Sequence, residues 1–190
     1  MMKIFATALL ASAALFAQEI ALQMDPAETK VEFTLGSVLH TVHGTFALKH
    51  AIIHFDPVTG KAGGEMVVDA ASGASGTAAR DRRMHKEILE SARYPEIVFR
   101  PTRVEGRVAL QGASQVQVHG IFAIHGAQHE IVMPAELEAD SGVYRLFLHF
   151  DVPYVKWGMK NPSSFILRVN DTVEIAIHTT ARPVREYSEK

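Results

Sequence analysis

Residues 115–124, Gln-Val-Gln-Val-His-Gly-Ile-Phe-Ala-Ile, place an apolar side chain or a glycine at every second position. Successive side chains of a β-strand point to opposite faces, so Val116, Val118, Phe122 and Ile124 share one face. Gly120 interrupts this apolar row, which indicates a bend or a close approach of a neighbouring backbone. We therefore predict a strand with one buried face at the centre of a β-rich fold.

The same alternation recurs on both sides of this stretch. Further strands are predicted over Val31–Leu35, Val42–Leu48 (which Ile52–Phe55 extends or re-enters), Glu65–Asp69, Ile97–Phe99, Ile131–Leu137, Tyr144–Val152 and Val173–Ile177. About eight strands with one apolar face each must hide that face. A closed antiparallel barrel does so and also removes unpaired edges, whereas a two-sheet sandwich is the second choice. The interior of an eight-stranded barrel is either filled by side chains or holds one small ligand.

Residues 80–99 contain the one convincing helix after the N-terminal region. Met84, Ile88 and Ala92 recur at i, i+4 and i+8 with Leu89 beside them, so they share a face. Tyr94-Pro95 is predicted to end the helix, and Ala70–Ala79, before it, to be flexible. This short helix is expected near the barrel mouth. Its apolar face would cap the barrel, or its basic residues Arg80, Arg82, Arg83, His85 and Lys86 would attract an anionic headgroup.

The N-terminus resembles a secretory signal peptide, with Lys3 ahead of the apolar run Ile4–Phe16. This run is shorter than the roughly 20 residues that span a bilayer. We predict a signal peptide over residues 1–17 and one domain over residues 18–190; an uncleaved interfacial anchor is the alternative. A periplasmic or secreted location follows from the signal peptide.

The amino-acid composition excludes several kinds of functional site. The 190 residues contain no Cys, which excludes disulfides, thiolate metal sites and Cys nucleophiles, and the net charge of −2 argues against a nucleic-acid binder. Ten His residues make the charge sensitive to acid. Pairs such as His50 and His54 or His125 and His129 resemble metal spacing. However, residues four apart on a strand lie about 13 Å apart, so no metal site is predicted. No catalytic or dinucleotide-binding motif occurs in the sequence either, so no cofactor and no catalytic residue are predicted.

Several motifs occur in an order that resembles the YceI-like family. They are Val31-Glu-Phe33, Val42-His-Gly-Thr-Phe46, Phe55-Asp-Pro57, Arg80-Asp81 with His85, Tyr94-Pro-Glu-Ile-Val-Phe99, Val118-His-Gly-Ile-Phe-Ala-Ile-His-Gly126 and Asn170-Asp-Thr-Val-Glu-Ile-Ala-Ile177. The resemblance covers residues 28–182. It implies an exported, lipocalin-like antiparallel barrel of about eight strands that binds a polyisoprenoid or another lipid inside.

On this resemblance we expect a non-enzymatic carrier or storage protein for a long-chain lipid or isoprenoid, one that makes transient contact with membranes. The oligomeric state stays open, a dimer included. The residues predicted to contact the ligand are Phe33, Phe46, Met66, Met84, Ile88, Phe99, Val118, Phe122, Met133, Leu148, Phe150 and Trp157. Two alternatives remain: an enzyme that acts on a lipid or isoprenoid through His residues in the barrel, and a structural or stress-related protein with a filled barrel.

Overall fold

Nine β-strands and one short helical segment form the part of the chain that the computed structural model describes, residues 19–165 and 167–184. The strands are β1 (Ile20–Met24), β2 (Lys30–Gly36), β3 (Thr41–Phe55), β4 (Ala62–Ala74), β5 (Glu96–Glu105), β6 (Gly112–Ile124), β7 (Ala127–Asp140), β8 (Val143–Val152) and β9 (Val173–Pro183). A 3₁₀ turn spans Pro26–Glu28, and helix α1 spans Ala78–Arg83. The predicted signal peptide lies outside the described residues.

Strands β2 to β9 form a closed antiparallel barrel. Each pairs with the next along the chain, and β9 pairs with β2 to complete the ring. The extra strand β1 pairs with the same neighbours as β2, namely β3 and β9, so β1 and β2 together occupy one strand position. The 3₁₀ turn separates them, capped by Asp25, whose carboxylate accepts a hydrogen bond from the Ala27 N–H at 2.8 Å. The predicted barrel of about eight strands is confirmed.

The period-two pattern separates the inside of the barrel from the outside. On β7, Met133, Ala135 and Leu137 are buried, whereas the intervening Pro134 and Glu136 are exposed. Strands β6 and β7 pair without a register shift over their whole length, which keeps this alternation in phase. Within the described residues, no helix has the length and hydrophobicity needed to cross a membrane.

Two glycines lie where neighbouring strands approach closely. A Cβ at Gly44 would collide with the Phe33 ring and lie 2.5 Å from the Ala74 carbonyl oxygen. A Cβ at Gly120 would lie 2.5 Å from both the Arg100 carbonyl oxygen and the ring of Phe99. The close approach predicted at Gly120 is thus confirmed. Gly44 is packed in the same way, against the ring of Phe33.

The helical segment is shorter than predicted. Helix α1 continues into a π-helical turn over Met84–Ile88, closed by a hydrogen bond from the Leu89 N–H to the Met84 carbonyl. The segment therefore ends at Ile88, not at Tyr94-Pro95, because Glu90 takes a left-handed backbone conformation with φ of 46°. The prediction of a flexible Ala70–Ala79 was also wrong in its first half, since β4 runs to Ala74.

Candidate ligand-binding cavity

A cavity of about 580 Å³ occupies the barrel interior. This volume falls within the range of small-molecule sites, about 300–1,000 Å³. Its wall is almost entirely apolar and combines the inward faces of the strands with the helical segment. Eleven of the twelve residues predicted to contact a ligand line it: Phe33, Phe46, Met66, Met84, Ile88, Phe99, Val118, Phe122, Met133, Leu148 and Phe150.

Trp157, the twelfth predicted residue, lies behind the cavity wall. Its indole stacks on the imidazole of His129, with ring centroids 4.0 Å apart and planes 4° from parallel. It also contacts Phe122, at 5.7 Å between ring centroids, and Phe122 does line the cavity. Trp157 therefore supports the wall from the second layer.

His129 and Trp157 lie where β7 and β8 separate. Pairing between these strands covers Ala135–Asp140 of β7, so the first half of β7, which includes His129, lies beyond the ladder. The long connection after β8 contributes Trp157 at this point. Because His129 is four residues from Met133 on a regular strand, its side chain lies on the inner face. Its Nε2 is buried and has no hydrogen-bond partner among the described residues.

Burial lowers the pKa of His129, and the expected consequence is acid sensitivity. A histidine that is harder to protonate in the folded state contributes its full stability above the unfolded pKa, about 6.5. That contribution declines as the pH falls below this value. We expect the free energy of unfolding, measured with urea at pH 7.5 and 5.5, to fall less in His129→Phe than in the parent protein. The substituted ring keeps the stack on Trp157.

The control for this measurement is His178→Phe, because His178 is exposed on β9 and its ring contacts Phe147 instead. In His178→Phe, the free energy of unfolding should fall between pH 7.5 and 5.5 by as much as in the parent protein. Equal pH dependence in His129→Phe and the parent protein would contradict the prediction.

Polar groups in the cavity wall gather at one end of the barrel. Ser37 and His40 come from the β2–β3 hairpin, and Ser75, Arg80 and Arg83 from the segment that carries α1. The lining residues that are themselves solvent-exposed, His40, Ala79 and Arg83, belong to the same two segments. The cavity thus reaches the surface here, and we call this end the mouth.

The helical segment is fixed over the mouth at both of its ends. At the start, Arg80 donates hydrogen bonds to the Ser75 hydroxyl and carbonyl, both at 2.7 Å. The Asp81 carboxylate accepts from the Ser75 hydroxyl and, at 2.9 Å, from its N–H. The Ser75 hydroxyl bond, with the Ser75 N–H and nearby Arg80, lowers the pKa of Asp81. At the far end, Glu90 pairs with His125 of the β6–β7 turn at 3.2 Å.

This arrangement divides the predicted basic residues of the helical segment. Arg80 and Arg83 line the cavity, whereas Arg82 and Lys86 are exposed on the outer side. His85 is held by neighbours on either side of the segment: its Nε2 donates to the Gly73 carbonyl oxygen at 2.8 Å, and its Nδ1 accepts from the Ser91 hydroxyl at 3.2 Å. Met84, Ile88 and Leu89 face the cavity as predicted, so the segment both caps the barrel and brings two cations to its mouth.

The connection between β8 and β9 supplies lining residues that sequence reasoning missed. Tyr154, Met159, Pro162, Leu167 and Val169 all contact the cavity. Tyr154 anchors the connection, because its hydroxyl donates a hydrogen bond of 2.7 Å to the Asn170 carbonyl. Burial, with a contribution from Asp171, raises the pKa of Tyr154 to about 12, so this donor stays protonated. The apolar composition of the connection was the available signal, but it follows no strand or helix period.

The cavity contains little that could perform acid–base chemistry. None of the described residues that line it is Asp or Glu, and His40 is its single His. His43, His50, His149 and His178 are exposed. The described part of the chain contains no cluster of three or more His, Asp or Glu residues placed to hold a metal ion.

Sequence comparison assigns the fold to a family. The family model described as the YceI-like domain matches residues 22–181, which include all nine strands but for the ends of β1 and β9. The chain belongs to the YceI-like family. No curated protein sequence matches this chain.

Solved structures with the same fold support the assignment. BcnA of Burkholderia cenocepacia has a TM-score of 0.68 at 17% identity, over 83% of this chain and 98% of that one. A polyisoprenoid-binding domain from Saccharophagus degradans has a TM-score of 0.65 at 15% identity, over 87% and 99%. The YCEI protein of Campylobacter jejuni has a TM-score of 0.58 at 18% identity, over 72% and 81%. At these identities the likeness concerns the fold.

Proposed function

We propose that this YceI-like protein binds a long apolar ligand of polyisoprenoid or fatty-acyl type inside the barrel and acts as an exported carrier or storage protein. The observation that carries the proposal is the apolar cavity of about 580 Å³ that opens at a polar mouth. A filled barrel would lack this space. The Saccharophagus degradans domain, described as polyisoprenoid-binding, supports the ligand class.

The cavity wall favours a chain over a compact polar molecule. Each CH₂ group moved from water into such a wall contributes about 0.8 kcal/mol, so a long chain is retained against water. A bilayer offers nearly the same hydrocarbon environment, so exchange with a membrane is close to balanced. Selectivity would then arise from the length of the cavity and from the mouth.

The polar groups of the mouth orient the ligand. Arg80 and Arg83 lie within one turn of the helical segment, and His40 belongs to the β2–β3 hairpin. A ligand can place its apolar chain against the cavity wall and its polar or anionic head against these residues of the mouth. Each part of the ligand then contacts groups of matching polarity. Because none of the described residues that line the cavity is a carboxylate that could pair with His40, we propose binding without turnover.

Native mass spectrometry of protein purified from its host, followed by solvent extraction, tests the proposal. We expect a bound lipid, and we expect delipidated protein to take up a long-chain isoprenoid and a long-chain fatty acid. The intact mass also reports whether residues 1–17, the predicted signal peptide, have been removed. Recovery of no lipid, together with no uptake of either added chain, would refute the proposed function.

A further inference from the structure

We propose that the mouth is a membrane-docking surface, which inserts Val38, Leu39 and Phe165 into the interface of an anionic lipid bilayer. This inference extends the proposed function by naming the partner with which ligand would be exchanged. It concerns the outer rim of the mouth, whereas ligand binding concerns the cavity.

Large apolar side chains stand out from this rim into solvent. Val38 and Leu39, at the tip of the β2–β3 hairpin, are 66% and 69% exposed, and Phe165, in the β8–β9 connection, is fully exposed. Exposed apolar side chains that cluster, unlike ones that are scattered singly, mark interaction sites. Aromatic and branched aliphatic side chains are those that proteins insert at the membrane interface.

Backbone pairing holds the two tips side by side. Ser37 forms an isolated bridge with Val169, and the Val38 N–H donates to the Arg168 carbonyl at 3.1 Å. A hydrogen bond of 2.8 Å from the Ser164 N–H to the Leu167 carbonyl closes the turn that carries Phe165. The apolar side chains therefore form one rim beside the opening of the cavity.

Positive charge surrounds this rim. The three segments at the mouth, residues 37–40, 75–95 and 153–172, contain eight Lys and Arg against four Asp and Glu, a net charge of +4 in a chain of net charge −2. Four of these cations are exposed and take part in no ion pair among the described residues: Arg82, Lys86, Lys156 and Arg168. Exposed cations beside apolar side chains match the chemistry of an anionic bilayer.

The opposite end of the barrel lacks this combination. Val58 and Leu110 are exposed there at 77% and 70%, in the loops that follow β3 and β5. However, the loops at that end, residues 56–61, 106–111 and 141–142, contain only Lys61 and Arg107 against Asp56. Among the described residues that line the cavity, those at that end are not exposed. This end therefore supplies matched control positions.

The chain has no Cys, so single labels report each end separately. We would attach the environment-sensitive fluorophore NBD to Leu39→Cys and to Phe165→Cys, and as controls to Val58→Cys and Leu110→Cys. With vesicles of phosphatidylcholine and phosphatidylglycerol, we expect a blue shift and quenching by doxyl-labelled lipids at positions 39 and 165 only. The readout is local, so any membrane contact by residues 1–18 does not imitate it.

Charge reversal tests the electrostatic part. In the double variant Arg82→Glu, Arg168→Glu, the affinity for these vesicles should fall at least tenfold. The NBD label at position 165 reports this affinity. Lys61→Glu with Arg107→Glu at the opposite end should leave it unchanged. Raising the salt concentration should reduce binding of the parent protein, because the attraction is screened.

Separate assays test membrane docking and ligand binding, so the failure of one proposal can be distinguished from the failure of the other. Uptake of a soluble fluorescent fatty acid without vesicles should be equal in the parent protein and in Arg82→Glu, Arg168→Glu. If this ligand binds but vesicles leave the labels at 39 and 165 unchanged, the membrane assignment is overturned in favour of a protein partner. Equal insertion of both ends would also overturn it. Rim insertion without any ligand uptake would uphold docking and refute the proposed function.

Discussion

Ala135→Phe is expected to reduce affinity for a long-chain ligand by at least tenfold while the barrel stays folded. Ala135 is 2% exposed, lies on the inner face of β7 and lines the cavity. It pairs with Val116 and Leu148, which also line the cavity, so the added ring has to enter the ligand space. Tenfold corresponds to about 1.4 kcal/mol, the hydrocarbon contribution of about two CH₂ groups. Titration with a fluorescent fatty acid measures the loss.

Stability measurements distinguish a blocked cavity from a damaged fold. Extra methylenes forced into a filled core cost about 1–3 kcal/mol, but a ring that enters empty space should cost the ligand-free protein less than about 1 kcal/mol in free energy of unfolding. Ligand should raise the melting temperature of the parent protein and not that of the variant.

The matched control is Glu136→Phe, which places the same ring on the outer face one residue along β7. It should bind ligand like the parent protein. Parental affinity in Ala135→Phe would place the ligand outside the barrel, and an equal loss in Glu136→Phe would point to an effect on folding instead.

Gly44→Ala and Gly120→Ala are each expected to destabilise the barrel by about 3 kcal/mol, at the upper end of overpacking costs. At both positions the new Cβ meets an aromatic ring and also a backbone carbonyl at 2.5 Å, from Ala74 and Arg100 respectively. A ring can rotate away, but a carbonyl in a paired strand moves only with the strand. Urea denaturation gives the loss from the shift in midpoint at constant slope.

A third glycine provides the control. Gly63→Ala on β4 introduces a Cβ with no neighbour within 4 Å and should be neutral or slightly stabilising. The double variant Phe33→Leu, Gly44→Ala should lose less stability than the sum of its single changes, because the smaller side chain relieves part of the clash. A cost at Gly44 no larger than at Gly63 would show that the strands do not approach as closely as described.

Most of the barrel was predictable because side-chain alternation is a local property of the strand. The residues of β6 and β7 repeat apolar side chains at every second position, and the structure buries that set. For the same reason, the inward positions Phe33, Met133 and Phe150 could be assigned to the interior before any pairing was known. Met84 and Ile88 followed from helical spacing in the same way.

Apart from β1, which was not predicted, the misses fall where no strand or helix period operates. Tyr154, Met159 and Leu167 line the cavity from a connection without regular structure, so no spacing indicated which side chains turn inward. Trp157 was predicted to contact ligand but packs on His129. The helical segment ends at Ile88 because Glu90 turns the backbone and pairs with His125, a contact between residues 35 positions apart.

By itself, the sequence determined which side chains of the predicted strands face the core, that about eight strands close into a barrel and that one short helix interrupts them. These properties depend on neighbours within a few residues, which is the range over which strand and helix periods act. Only the tertiary structure decided that the interior keeps a cavity of about 580 Å³ and that its mouth lies between the β2–β3 hairpin and the helical segment. It also decided that Val38 and Phe165 share one rim. Those properties arise from contacts between distant parts of the chain, whose packing no local pattern encodes.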